Sequence, residues 1–177
     1  MKRAHGLLPL LLAWAAILAG LEGTAAGVKW TIPASWKLQA GRPMRVATYE
    51  VPAAPGSEPG ECGVFYFGPG QGGSVEENLA RWSQQFEATA PAKKASKSIH
   101  EFRVHTIELS GTYLAPSGPM MQSQGKKPGY RLLGAIVESP HGLLFFKCTG
   151  PAATLTKAQI DFDRMIGSLS KSASTSL

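Results

Sequence analysis

The sequence is poor in the residues that usually carry chemistry. Two cysteines and four histidines occur in 177 residues, and the spacings HExxH, GxSxG and CxxC and the EF-hand loop are all missing. His100 and His105 differ by an odd number, so on a regular strand they point to opposite faces and cannot share a metal. His141 falls in a turn signal. Asp161 and Asp163 stand two apart on a helical stretch and diverge, which makes a poor acid–base pair. No metal and no cofactor is expected. Charge is also sparse: 18 basic and 12 acidic side chains leave a net +6. The lysines cluster at Lys93, Lys94 and Lys97 and again at Lys126 and Lys127, without interleaved aromatics. That pattern argues against nucleic acid and for affinity toward anionic envelope polymers.

Long apolar runs are confined to the start. Met1-Lys2-Arg3 is basic, Leu7 to Leu21 is rich in Leu and Ala, and Thr24-Ala25-Ala26 offers small residues for cleavage. This is the pattern of a secretory signal peptide, and no later stretch is long and apolar enough to span a bilayer. The expected organisation is a signal peptide over 1–26, one domain over 27–170 and a flexible tail over 171–177, in an exported (periplasmic or secreted) chain. In an oxidising compartment Cys62 and Cys148 matter. They sit at the start and the end of predicted strands, and if those strands are antiparallel neighbours the two reach bridging distance. Two free thiols are the alternative.

What the chain does contain is organised around VFYFGPGQGGSVEENLARWSQQF, residues 64–86. Val64 to Phe67 are four β-formers with no alternation, so both faces of that strand want cover. Gly70, Gln71, Gly72 and Gly73 supply a tight turn. Ser74 with Glu77 three residues on is a capping box. Val75, Leu79, Trp82 and Phe86 then form one apolar stripe of a helix. Gly68, Gly70 and Gly73 spell GxGxxG, but Glu76 and Glu77 would repel a pyrophosphate there. No lysine completes a P-loop, and βαβ units are missing elsewhere. The turn is read as a strand-to-helix connection whose bare amides offer a contact.

Around this centre, Trp30 and Trp36 tie the N-terminal segment to the core. Met44 to Val51 alternates as a strand, and Ala88 to Ser98 reads as a connection. Phe102 to Tyr113 is strand-like but changes phase near His105, which predicts a bulge or a boundary between two short pairings. Ala115 to Gly129 is a long loop that carries Met120 and Met121. Tyr130–Glu138 and Leu143–Lys147 are apolar on both parities around a Pro140-His141-Gly142 turn. A second helix spans Thr154 to Leu169, capped by Thr154 or Thr156, with Ile160, Phe162, Met165, Ile166 and Leu169 on its buried side. The fold class expected is α+β: a mainly antiparallel sheet with helices on both faces.

The Trp/Pro segment, FYFGPGQGGSVEENLARWSQQF, SGTY, GPMM, PGYRLLGAIVE, LLFFKCTGP and FDRMIGSL together resemble a family of small exported bacterial proteins without assigned function. Their order of elements is similar to the PsbP-like α/β/α sandwich, the fold of a photosystem extrinsic subunit and of a Ran-binding nuclear import factor. The resemblance implies a binding or assembly role rather than catalysis. The expected function is therefore a non-enzymatic binding or assembly protein of the cell envelope, with an envelope protein or polymer as partner. Its contact residues would be Gly70, Gln71, Gly72, Gly73 and Ser74, Met120 and Met121, and Thr149, Gly150 and Pro151. All leave strand ends, so they are expected at one end of the sheet. The alternative is a hydrolase or transferase that uses the Ser74 helix terminus as an anion hole, with His105 or His141 as the base.

Overall fold

A computed structural model describes residues 20–115 and 125–173. Residues 1–19 of the expected signal peptide, the Met120-Met121 pair and residues 174–177 lie outside them. Eleven strands and two helices follow in the order β1 (Glu22–Ala25), β2 (Val28–Thr31), β3 (Lys37–Leu38), β4 (Ala47–Val51), β5 (Gly60–Tyr66), α1 (Val75–Gln84), β6 (Phe86–Ala88), β7 (Lys93–Ile99), β8 (Phe102–Leu114), β9 (Lys126–Ser139), β10 (Gly142–Pro151), α2 (Ala152–Gly167) and β11 (Ser170–Lys171). The main sheet runs β3-β4-β5-β10-β9-β8-β6, with β7 also paired to β8, and a small sheet holds β1-β2-β11. Every pairing is antiparallel. The class is α+β and dominated by sheet.

β10 lies in the middle of the main sheet, and its neighbour β9 is apolar on both parities for a visible reason. Leu133, Ala135 and Val137 pack in one cluster with Leu155, Phe162 and Met165 of α2. Leu132 and Ile136 pack in another with Val75 and Trp82 of α1. Successive strand residues project to opposite sides, so one strand serves both clusters. The same division explains the phase change in β8. Phe102 and Val104 belong to the α2 cluster, while Ile107, Leu109 and Tyr113 belong to the α1 cluster. The β8–β9 register is unbroken from Arg103 to Gly111, so the bulge expected at His105 does not exist. The irregularity lies between Gly111 and Tyr113 instead. A Cβ at Gly111 would stand 2.2 Å from the Glu87 carbonyl oxygen, so only glycine lets β6 come this close.

Several other expectations change. Ala88–Ser98 is not a plain connection: Lys93–Ile99 forms β7, an edge strand whose lysines face water, the charge that discourages edge-to-edge pairing. Met44 adopts a left-handed conformation (φ 66°) in a turn rather than opening β4. α2 begins after Pro151 with no side-chain cap. Thr154 is fully buried and ties a loop instead, accepting from the Ala54 amide (3.1 Å) and donating to the Glu58 carbonyl (2.7 Å). Ile160 is 56% exposed, off the buried face of α2. Ala26 and Gly27, the residues on either side of the expected boundary, form the β1–β2 turn, and both have positive φ. Lys171, expected in the tail, pairs with Val28.

Trp30 and Trp36 are both buried. The Trp30 ring meets Phe146 edge-on at 5.2 Å, and its Nε1–H donates to the Tyr49 hydroxyl at 3.1 Å. Cys62 on β5 lies directly opposite Cys148 on β10, and the two form a fully buried disulfide. Among the described residues no helix is long and apolar enough to cross a membrane.

Candidate functional site

The glycine turn is built to serve its own helix. Gly68, Gly70, Gly72 and Gly73 all have positive φ, a conformation that side chains with a Cβ resist. Ser74 completes the capping box: the Glu77 amide donates to its hydroxyl at 3.2 Å, and its own amide donates to the Glu77 carboxylate at 2.7 Å. That hydrogen bond to the Ser74 backbone, followed by the one to its hydroxyl, lowers the Glu77 pKa. The anion at this helix terminus is therefore the protein's own. Asn78, buried and unsuspected from the sequence, binds the carbonyls of Gly72 (2.7 Å) and Ser74 (2.8 Å).

His105 is engaged elsewhere, with Ser96 Oγ at 2.8 Å from Nδ1 and Glu138 Oε1 at 2.6 Å from Nε2. The His141 ring lies against Gly27. Neither is a hydrogen-bond partner of Ser74 among the described residues. Nor do three metal-ligating side chains converge there.

The structure also separates the expected contact turns. Gly68 and Pro69 abut Gly142 at the start of β10, whereas Thr149, Gly150 and Pro151 close its far end. Seven strand steps separate Gly142 from Thr149, roughly 24 Å at about 3.4 Å each. Thr149 and Gly150 open onto a cavity of about 480 Å³, lined also by Arg42, Arg45, Glu50, Glu61, Tyr113, Lys127 and Tyr130. A second hollow of about 260 Å³ continues it along the sheet through Arg45, Glu61, Tyr113 and Thr149 to Gly63, Phe65 and Lys147. Together they are of the size that holds a small molecule.

The strand register assembles this place. Lys147 pairs with Gly63 and Thr149 with Glu61 across β5 and β10. Residues two apart share a face, so Glu61, Gly63, Phe65, Lys147 and Thr149 form one patch of the sheet. Gly63 matters because it has no Cβ. One built there would stand 2.7 Å from the Phe65 ring and 3.5 Å from Arg45 Nη1. The Arg45 guanidinium sits 5.3 Å above the Phe65 ring, and Lys127 Nζ lies 5.5 Å from the Tyr130 ring centre. Tyr113 and Tyr130 stack at 6.1 Å. The Lys126-Lys127 cluster does have aromatic company, brought across the sheet by the pairing of Tyr113 with Lys127.

Charge in the two hollows is unbalanced. Among the described residues, Arg42, Arg45, Lys127 and Lys147 face two carboxylates, Glu50 and Glu61. Glu61 is held by Arg45 Nη1 at 2.6 Å and Arg42 Nη1 at 2.7 Å. Lys147 has no ion-pair partner among the described residues. Its ammonium donates to the Gln85 side-chain oxygen and lies 5.6 Å from the Tyr113 ring centre. Burial, aided by the nearby Arg45 charge and opposed by Glu61, brings its pKa down to about 8. Burial likewise raises the Tyr113 pKa, with Glu61 adding to the effect, so that phenol stays neutral. The arrangement can hold an anionic group against aromatic walls.

No family model matches the sequence, and no curated protein does. Among solved structures, the fold is similar to that of a Pseudomonas aeruginosa protein described as of unknown function and a putative regulator. The TM-score is 0.50 at 13% identity, over 87% of this chain and 98% of that one. It is also similar to cyanobacterial PsbP (CyanoP) from Synechocystis, with a TM-score of 0.47 at 11% identity over 83% and 88% of the two chains. At such identities the likeness concerns fold alone.

Proposed function

We propose that this chain is an exported, non-enzymatic binding or assembly protein of the cell envelope. Its contact site is the cavity around Arg45, Tyr113, Lys127 and Thr149, which takes a carboxylate or phosphate group of an envelope polymer or protein. One observation carries this reading: among the described residues, four cationic side chains and two carboxylates line the two adjoining aromatic-walled hollows. A preformed excess of guanidinium and ammonium groups favours anions, and arginine offers the fork geometry that carboxylates and phosphates match. Thr149 and Gly150 remain contact residues on this reading; the glycine turn serves the helix.

The layered form proposed is the PsbP-like α/β/α sandwich. Its support is the alternation along β9, where neighbouring residues pack with different helices. On that reading the cavity lies on the α1 side, beyond the end of that helix, where Gln85 meets Lys147. Export is supported by the N-terminal sequence pattern and by the buried Cys62–Cys148 bond, a bond typical of oxidising compartments.

Calorimetric titration with inorganic pyrophosphate and with a polyuronate tests the proposal. Saturable binding is expected, weakened by salt as Coulomb attraction is screened and lost in Arg45→Glu. Binding to neither anion, or binding that Arg45→Glu leaves intact, would refute it.

A further inference from the structure

One cation of the cavity, Lys147, is placed for more than simple anion binding. Lys147 occupies the central strand of the main sheet, yet no carboxylate pairs with it among the described residues. Glycines flank it on both neighbouring strands, Gly63 on β5 and Gly134 on β9. The room at Gly134 is filled by the Trp82 ring, while the Gly63 side opens into the hollow shared with Arg45. The lysine is surrounded on the sheet face but keeps partial access to solvent, as a residue on the floor of an open cavity does.

We propose that Lys147 is a ligand-reactive amine, forming a reversible imine with the carbonyl of a small 2-oxo carboxylate whose carboxylate group is held by Arg45. This deepens the anion-site reading and rests on it. The neutral amine adds through its lone pair to the carbonyl carbon, and the carbonyl oxygen takes up a proton. The carbinolamine then loses that oxygen as water to give the C=N bond. Addition of water reverses the sequence, so no oxidant or reductant is consumed. Desolvation and a neighbouring cation are the two features that make a lysine nucleophilic near neutrality, and both are present here. The lowered pKa of Lys147 agrees with this geometry, because the reactive form of an amine is the unprotonated one. The hollow of about 260 Å³ suits a ligand of a few heavy atoms.

The test is reductive trapping on the folded full chain with glyoxylate and sodium cyanoborohydride, followed by peptide mapping. Lys147 should be modified about tenfold faster than the exposed lysines Lys126 and Lys157, a margin of about one pKa unit. Inorganic phosphate should protect it. Propanal, which lacks the carboxylate, should lose the preference, and so should glyoxylate acting on Arg45→Gln. The propanal comparison uses unaltered protein, so it stands even if that variant fails to fold. Modification of Lys147 no faster than of Lys126 overturns the inference. If phosphate still binds calorimetrically in that case, the imine alone is refuted; if phosphate does not bind either, the anion-site reading falls with it.

Discussion

Replacing Lys147 with methionine should make the folded protein more stable at neutral pH, although it removes a hydrogen bond. The ammonium is held in a place where burial and Arg45 lower its pKa from 10.5 to about 8. At 1.36 kcal/mol per pKa unit, keeping it charged in the folded state costs about 3 kcal/mol. Losing the bond to Gln85 returns roughly 1 kcal/mol of that. A net gain of about 2 kcal/mol is expected, since methionine fills a similar volume. The pH dependence carries the diagnostic. Below pH 8 both folded and unfolded wild type hold the proton, and the cost is fully present. Between about pH 8 and 10.5 the folded state releases the proton while the unfolded chain keeps it. Unfolding then takes up a proton, so wild-type stability rises with pH through this window. The advantage of the methionine variant should therefore shrink from pH 7 to pH 10. Urea unfolding of both proteins at several pH values measures it. A variant less stable than wild type at pH 7, or an advantage that grows with pH, would refute the reasoning.

Other expectations follow from particular contacts. Reducing the Cys62–Cys148 bond, or replacing both cysteines with alanine, releases a link across 86 residues. It should cost about 4.6 kcal/mol on the chain-entropy account, read as a drop in urea midpoint. Gly134→Ala places a Cβ 2.5 Å from the Trp82 ring and should destabilise by about 1–3 kcal/mol through overpacking, seen in thermal melts. Ser74→Ala removes the helix cap and should cost about 1 kcal/mol. The same variant should leave pyrophosphate binding unchanged in calorimetry.

The helices and the apolar strands were legible because each depends on local signals. Ser74-x-x-Glu77 satisfies its own backbone amides, and the runs in β5, β9 and β10 carry their burial in composition. What escaped depended on pairing. The strand β7 has a lysine-rich sequence with no apolar face, and it exists because β8 offers it a partner edge. The phase change in β8 came from two different covers on one regular strand, which periodicity alone cannot tell from a bulge. The cavity was the least legible part. Arg45, Glu61, Tyr113 and Lys147 are spread over a hundred residues, and only the pairing of β4, β5, β8, β9 and β10 gathers them, with Arg45 just ahead of β4. Lys147 closes the apolar run LLFFK and looks there like an ordinary strand end. Thr149 and Gly150 read as turn residues in the sequence and belong to the cavity wall. Gly70 to Ser74 read the same way and sit at the other end of β10. Strand ends can be found from sequence; which ends meet cannot.

The measurement that tests the anion cavity most directly is amide chemical-shift mapping during a pyrophosphate titration. Glu61, Gly63, Thr149 and Gly150 should move together and saturate, the amides of Gly70 to Gly73 should stay still, and Arg45→Glu should abolish the response. Shifts centred on the glycine turn, or spread evenly over the lysines of β7, would contradict the account.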